Sequence, residues 1–240
     1  MTYYTGLIAA VPTANKDAYL EHAKGSWPIF KSLGAVRMIE GWGVDVQKGK
    51  VTDLIDAVQA KDDETVVYSW IEWPDKATSD SAWGQMMSGE AGQDMPEMPF
   101  DGSRMIFGGF EPVYEKGSPD GAGYIQGFLL AAPEAKKDAY LKMADDAWSM
   151  FLEGGCLGTS ENWGVDVPRG EKTDMYRATK AEDGEVVLFS WTLWPDRAAC
   201  DKAAAQMMAD TEGQEMPEMP FDGMRMMWGG FEKIMDSNEL

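Results

Sequence analysis

Glu64-Thr65-Val66-Val67-Tyr68-Ser69-Trp70-Ile71-Glu72-Trp73 decides the fold, because large side chains occupy both alternating faces of what reads as one β-strand. A strand with two apolar faces must be covered on both. Pro74 ends the strand and pre-sets the first turn of a helix. The same passage returns as Glu185 to Trp194 followed by Pro195-Asp196, at a constant offset (194 − 73 = 121). Pro99-Phe100-Asp101-Gly102 recurs as Pro220-Phe221-Asp222-Gly223, and Trp42-Gly43-Val44-Asp45-Val46 as Trp163-Gly164-Val165-Asp166-Val167. Residues 3–111 thus repeat without a gap as 124–232, with about half of the paired positions identical. Two long repeats indicate two similar units rather than a solenoid. They are read as residues 1–116 and 122–240, joined by the polar Glu115-Lys116-Gly117-Ser118-Pro119-Asp120-Gly121 link.

Working outward from that strand, Tyr3 to Val11 reads as a strand bounded by Pro12, followed by a helix over Asn15 to Leu33. Tyr19, Ala23, Trp27 and Phe30 share one helix face, and Pro28 predicts a kink or break. Val36 to Val46 reads as a strand carrying Glu40, Trp42 and Val44 on one face. A further strand is read over Asp53 to Ala60, joined to Glu64–Trp73 by a hairpin at Lys61-Asp62-Asp63, matched by Glu182-Asp183-Gly184. After Pro74 comes a helix with Ala82, Trp83, Met86 and Met87, a loop over Gly92 to Gly102, and a last strand from Arg104 to Val113. The class is therefore α+β. Each repeat is a β-α-β-β-α-β, ferredoxin-like unit with one extra strand. Helices cover one sheet face, and the other copy is the natural cover for the second. Two sheets meeting this way close, or nearly close, a barrel.

The chain has 41 acidic and 21 basic residues, a formal charge of −20. That charge opposes nucleic acid and anionic membrane surfaces. No run approaches the roughly 18 apolar residues of a membrane span. The N-terminus lacks a signal-peptide pattern, and Cys156 and Cys200 fall where the first copy has Ala35 and Ser79. A reducing cytoplasm is the expected location.

Three constellations carry possible chemistry. Asp101 with Arg104, matched by Asp222 with Arg225, suits either a bidentate anion clamp or a structural turn and ion pair. Trp42 and Trp70, matched by Trp163 and Trp191, would wall a site if they face the barrel interior. Glu40 or Glu72 there would be a desolvated general base, with Asp45 and Asp166 as further candidate catalytic carboxylates. Glu40 pairs with Glu161, whereas Glu72 pairs with Leu193, so chemistry at Glu72 would exist in one half. Met95-Pro96-Glu97-Met98-Pro99, repeated as Met216-Pro217-Glu218-Met219-Pro220, offers thioethers for Cu(I) or, more ordinarily, for filling apolar gaps. The lone His22 faces Met143 in the other copy, which gives no triad and no zinc set. No cofactor or metal is assigned.

Ser69-Trp70-Ile71-Glu72-Trp73-Pro74-Asp75-Lys76-Ala77, together with Met98-Pro99-Phe100-Asp101-Gly102-Ser103-Arg104-Met105-Ile106-Phe107-Gly108-Gly109-Phe110-Glu111, resembles the YbaA-like family of bacterial proteins over essentially all of each half. The resemblance implies a dimeric α/β barrel, here with both copies in one chain as an internal pseudo-dimer, and such a chain is expected to be a monomer or weak homo-oligomer. It implies no activity. The wider superfamily spans small oxygenases, haem enzymes and isomerase-like enzymes, and fold does not select among them. Three functions are weighed. The first is an enzyme or binder with a small-molecule ligand between sheet and helices. The others are a non-catalytic interaction or stress-related module and a methionine-based metal handler.

Overall fold

The computed structural model describes residues 1–240 except 90, 92, 94, 212 and 214–217. The first half runs β1 (Tyr3–Pro12), α1 (Lys16–Ser32), β2 (Arg37–Asp45), α2 (Leu54–Ala57), β3 (Glu64–Trp73), α3 (Lys76–Ser88) and β4 (Ile106–Gly117). The second runs β5 (Tyr124–Pro133), α4 (Lys137–Glu153), β6 (Gly158–Asp166), α5 (Met175–Thr179), β7 (Glu185–Trp194), α6 (Arg197–Asp210) and β8 (Met227–Asp236). The eight strands close in the order β1-β3-β2-β8-β5-β7-β6-β4. Seams β2–β8 and β4–β6 join the halves, so neither sheet keeps an open edge.

The two-faced β3 strand explains the closure. Val66, Tyr68 and Trp70 enter the barrel core, while Ile71 and Trp73 pack with Ala23, Trp27 and Phe30 of α1. Inside, Tyr68 stacks on Phe189 and Trp70 on Trp191, each pair of centroids 4.2 Å apart. Glycines admit the rings. A Cβ at Gly6 would lie 2.8 Å from Phe189, and one at Gly127 2.9 Å from Tyr68.

Three expectations are corrected. Asp53–Ala60 is not a strand. Asp53 caps α2 by accepting the Asp56 N–H at 2.7 Å, and Asp174 caps α5 from Arg177 in the same way. These short helices plug one end of the barrel with Leu54, Val58 and Met175, and they are tied across the halves by Thr52 to the Ala178 carbonyl and Thr173 to the Ala57 carbonyl. Lys61-Asp62-Asp63 therefore turns from a helix into β3 and is not a hairpin between strands. Pro28 does not divide α1, which runs unbroken through it. Pro28 and Lys24 lie on the solvent side, where the carbonyl left without a partner is open to water. No helix among the described residues is long and apolar enough to cross a membrane.

Candidate functional site

Alternation along β2 sorts the predicted site residues between two places. Ile39 lies in the barrel core, whereas Met38, Glu40 and Trp42 point outward beneath α1. Trp42 thus does not share the interior with Trp70, because register pairs Trp42 with Val67 and Ile39 with Trp70. Trp163 and Trp191 are separated in the same way. The wall of paired tryptophans around one carboxylate does not form.

Glu40 lies on the floor of a cavity of about 520 Å³ between the first sheet, α1 and the Met95–Phe100 segment. Its Oε2 accepts a hydrogen bond of 2.5 Å from the Tyr19 hydroxyl and a short one from Ser69. The spacing that puts Tyr19, Ala23 and Phe30 on one face of α1 delivers Tyr19 over β2, and strand pairing places Ser69 directly opposite Glu40. Glu40 is only 7% exposed. Burial pushes its carboxyl above the ordinary range against the opposing pull of the two hydroxyl donors. Burial and the neighbouring Glu40 push the Tyr19 phenol well up, so it stays neutral.

The rest of the cavity is mainly apolar, with Met38, Phe30, Trp83, Met86, Met98 and Phe100 among its walls and His22, Ser26 and Glu97 as its other polar residues. His22 closes one side. Its ring meets Phe100 edge-on at 6.1 Å and its Nδ1 lies 3.1 Å from the Glu97 carbonyl oxygen. Burial holds its pKa below the ordinary value. The methionine-rich segment of the first half is therefore part of this wall. Met216 and Pro217 of the second, like Gly92 of the first, lie outside the described residues.

Glu72 and Trp70 face the other end of the barrel, opposite α2 and α5. A second hollow of about 520 Å³ there is lined by Tyr4, Arg37, Glu72, Glu115 and Trp191. Burial, then the negative charge of Glu115, raises the Glu72 pKa. Arg37 is engaged by Asp236, at 2.9 and 2.5 Å, and by Asp120 at 3.0 Å. Glu40 and Glu72 thus belong to different places.

The remaining candidates hold the architecture. Arg104 is buried, forks onto Glu64 at 2.6 and 2.7 Å, and donates further to Asp101 and to the Gln59 carbonyl. Four of its five N–H donors are engaged. Arg225 repeats this with Glu185, Asp222 and the Lys180 carbonyl. Asp45 pairs with Arg197 at 3.0 Å and Asp166 with Lys76 at 3.5 Å, each tying a strand of one half to a helix start of the other. Among the described residues no group of three or more His, Cys, Asp or Glu side chains is placed to hold a metal ion.

Tyr19 and Ser69 join Glu40 in this candidate site, although the sequence did not single them out as site candidates. Their signal was present. Tyr19, Glu40 and Ser69 are all retained as Tyr140, Glu161 and Ser190.

Two β-α-β-β-α-β halves closing one eight-stranded sheet define a dimeric α/β barrel, built here within a single chain. The chain belongs to the DUF1428 family of proteins of unknown function, whose model matches residues 2–102 and again 123–223. It is 49% identical to the uncharacterized protein YbaA of Escherichia coli K12 over 117 residues, 48% of this chain and 100% of that one. Among solved structures it resembles an anthrone oxidase-like protein, with a TM-score of 0.55 and 9% identity over 98% of this chain and 92% of the other. It also resembles a monooxygenase candidate from Fusobacterium nucleatum, with a TM-score of 0.56 and 9% identity over 98% and 93% of the two chains. These likenesses establish the barrel fold.

Proposed function

We propose that the chain binds and transforms a small, mainly apolar molecule in the cavity between the first sheet and α1, with Glu40 as the group that gives or takes a proton. The carrying observation is a buried carboxyl, held by Tyr19 and Ser69, in a mainly apolar cavity of about 520 Å³. Cavities of this kind are the usual place for small ligands. A carboxyl with a raised pKa is suited to proton transfer near neutrality. Arg104, Arg225, Asp45 and Asp166 do not line this cavity, and in this reading their ion pairs serve the fold. The oxidase and monooxygenase descriptions of the structural neighbours are compatible with a small organic substrate and do not choose the reaction.

The second half supplies the test. Leu7 lines the first cavity, and its counterpart Phe128 packs among Leu130, Tyr140 and Trp163. Leu7→Phe should therefore fill the cavity with a side chain that this fold already accommodates. Nile red titrated into the intact chain should bind saturably, and Leu7→Phe should weaken that binding at least tenfold, roughly what about 1.4 kcal/mol of lost contact gives. Unchanged binding in Leu7→Phe would mean that the dye binds elsewhere and would count against this cavity as the binding site.

A further inference from the structure

The hydrogen-bond pattern around Glu40 specifies what kind of ligand the cavity takes. Both protein donors converge on one oxygen, Oε2. Oε1 has no partner among the described residues, is not sealed off, and belongs to a side chain that lines the cavity. Because Oε2 already accepts two hydroxyls, a proton held by Glu40 would sit on Oε1. We infer that Glu40 directs an Oε1–H donor into the cavity, and that the ligand is an uncharged, largely apolar molecule whose carbonyl oxygen accepts this hydrogen bond. The inference rests on the cavity being the binding site.

The surroundings agree. From α1 the facing groups are the neutral Tyr19 and His22, from β3 Ser69, and from the roofing segment Glu97, whose side chain is exposed. No Lys or Arg lines the cavity among the described residues, so an anionic ligand would find no countercharge and would also oppose a chain of charge −20. An ammonium ligand would need Glu40 ionised in an apolar setting. A carbonyl needs neither, and a buried donor left without it would remain unpaired.

The test uses one ring system with four ends: naphthalene, 2-acetylnaphthalene, 2-naphthoate and 2-naphthylmethylammonium, titrated calorimetrically into the intact chain at neutral pH. The ketone should bind about tenfold tighter than naphthalene or either ion. Glu40→Gln keeps a carbonyl to accept from Tyr19 and Ser69 and an N–H to donate in place of Oε1–H, so the preference should survive. Glu40→Leu should abolish it. Should Glu40→Leu not fold, the carbonyl stretch of bound 2-acetylnaphthalene in the unmodified chain gives the same answer. A shift to lower frequency marks the hydrogen bond, and an unshifted band overturns it. Tightest binding of the ammonium, or a ketone preference that persists in Glu40→Leu, also overturns the inference. Naphthalene binding without ketone preference refutes the donor alone. Failure of all four to bind refutes the cavity reading itself.

Discussion

The two halves place the same three polar side chains on equivalent elements, Tyr19, Glu40 and Ser69 in one and Tyr140, Glu161 and Ser190 in the other, yet surround them differently. In the first half Leu7, His22, Ile71 and Trp83 help form the cavity. In the second those positions are Phe128, Met143, Thr192 and Ala204. Tyr140 still donates to Glu161 at 2.6 Å, but Glu161 is partly open. The hollow of about 610 Å³ beside α4 is lined by Lys136, Met143, Met150 and Met219 and, among the described residues, does not reach Glu161. The barrel interior behaves in the opposite way, with the stacked pairs Tyr68–Phe189 and Trp70–Trp191 meeting edge-on through Phe189 and Trp191 in one shared core. Each half completes the other's core, so the interior must stay matched. A cavity outside the sheet concerns one half only and can diverge without disturbing closure.

The comparison can be broken first where the halves are most alike. Arg104→Ala would leave Glu64, whose side chain is 4% exposed, as a buried charge without a countercharge, held by the Lys61 N–H at 2.8 Å. It should cost about 3–5 kcal/mol in urea unfolding, and Arg225→Ala about the same or slightly less, since that pair is a little more exposed. A small loss together with weakened ligand binding would restore the anion-clamp reading. The next effect tests where the halves differ at the barrel end. Arg37→Gly mimics Gly158 and deprives the fully buried Asp236 of its guanidinium, leaving it Lys233 at 3.5 Å and the Asn238 N–H at 3.1 Å. A loss of about 3 kcal/mol in the same assay is expected. If Arg37→Gly is instead harmless, the mouth is already symmetric in energy despite its sequence.

Smaller effects sharpen the contrast between the cavities. Phe128→Leu copies the first half into the second and should cost about 1 kcal/mol by leaving unfilled volume under α4. Leu7→Phe should cost less than about 1.5 kcal/mol, because it fills space rather than empties it. Equal and large costs from both would show that the first cavity is closed in solution.

How much of this was legible follows from what each residue type constrains. The repeat, the two-faced Glu64–Trp73 strand and the closure they demand were readable, because periodicity and burial act on every residue of a strand. The α2 and α5 plugs were not. The short apolar run Leu54–Val58 fits a strand as well as a helix, and a single aspartate cap decides between them. Glu40 was named, but its partners depend on β2–β3 register, and a one-residue slip exchanges the faces. That slip is the difference between Trp42 beside Trp70 and Trp42 beside Tyr19, the latter at 6.0 Å. Both Glu40 and Tyr19 recur in the second copy, but so do about half of all positions, and only the fold brings the two together.

The pH dependence of stability offers the finest discrimination between the halves. Burial raises the Glu40 carboxyl, so between the unfolded value of 4.5 and its folded value the native chain holds a proton that the unfolded chain has released. Its contribution to stability therefore falls as pH rises above 4.5. Glu64 and Glu185, held low by Arg104 and Arg225, act in the opposite sense: their contribution is present above 4.5 and is lost as pH falls. The variant isolates the first effect from the second. The stability of Glu40→Gln relative to the unmodified chain should increase with pH from about 4.5 towards neutrality, by at most about 1.4 kcal/mol per pH unit, measured by urea unfolding at each pH. Glu161 is raised by the same cause but is less enclosed, so Glu161→Gln should show a shallower slope of the same sign. Equal slopes would mean that the two carboxyls are equally dry and that the second half keeps a working site. A flat line for Glu40→Gln would mean that Glu40 is ionised in the folded chain, which would turn its role from donor to base.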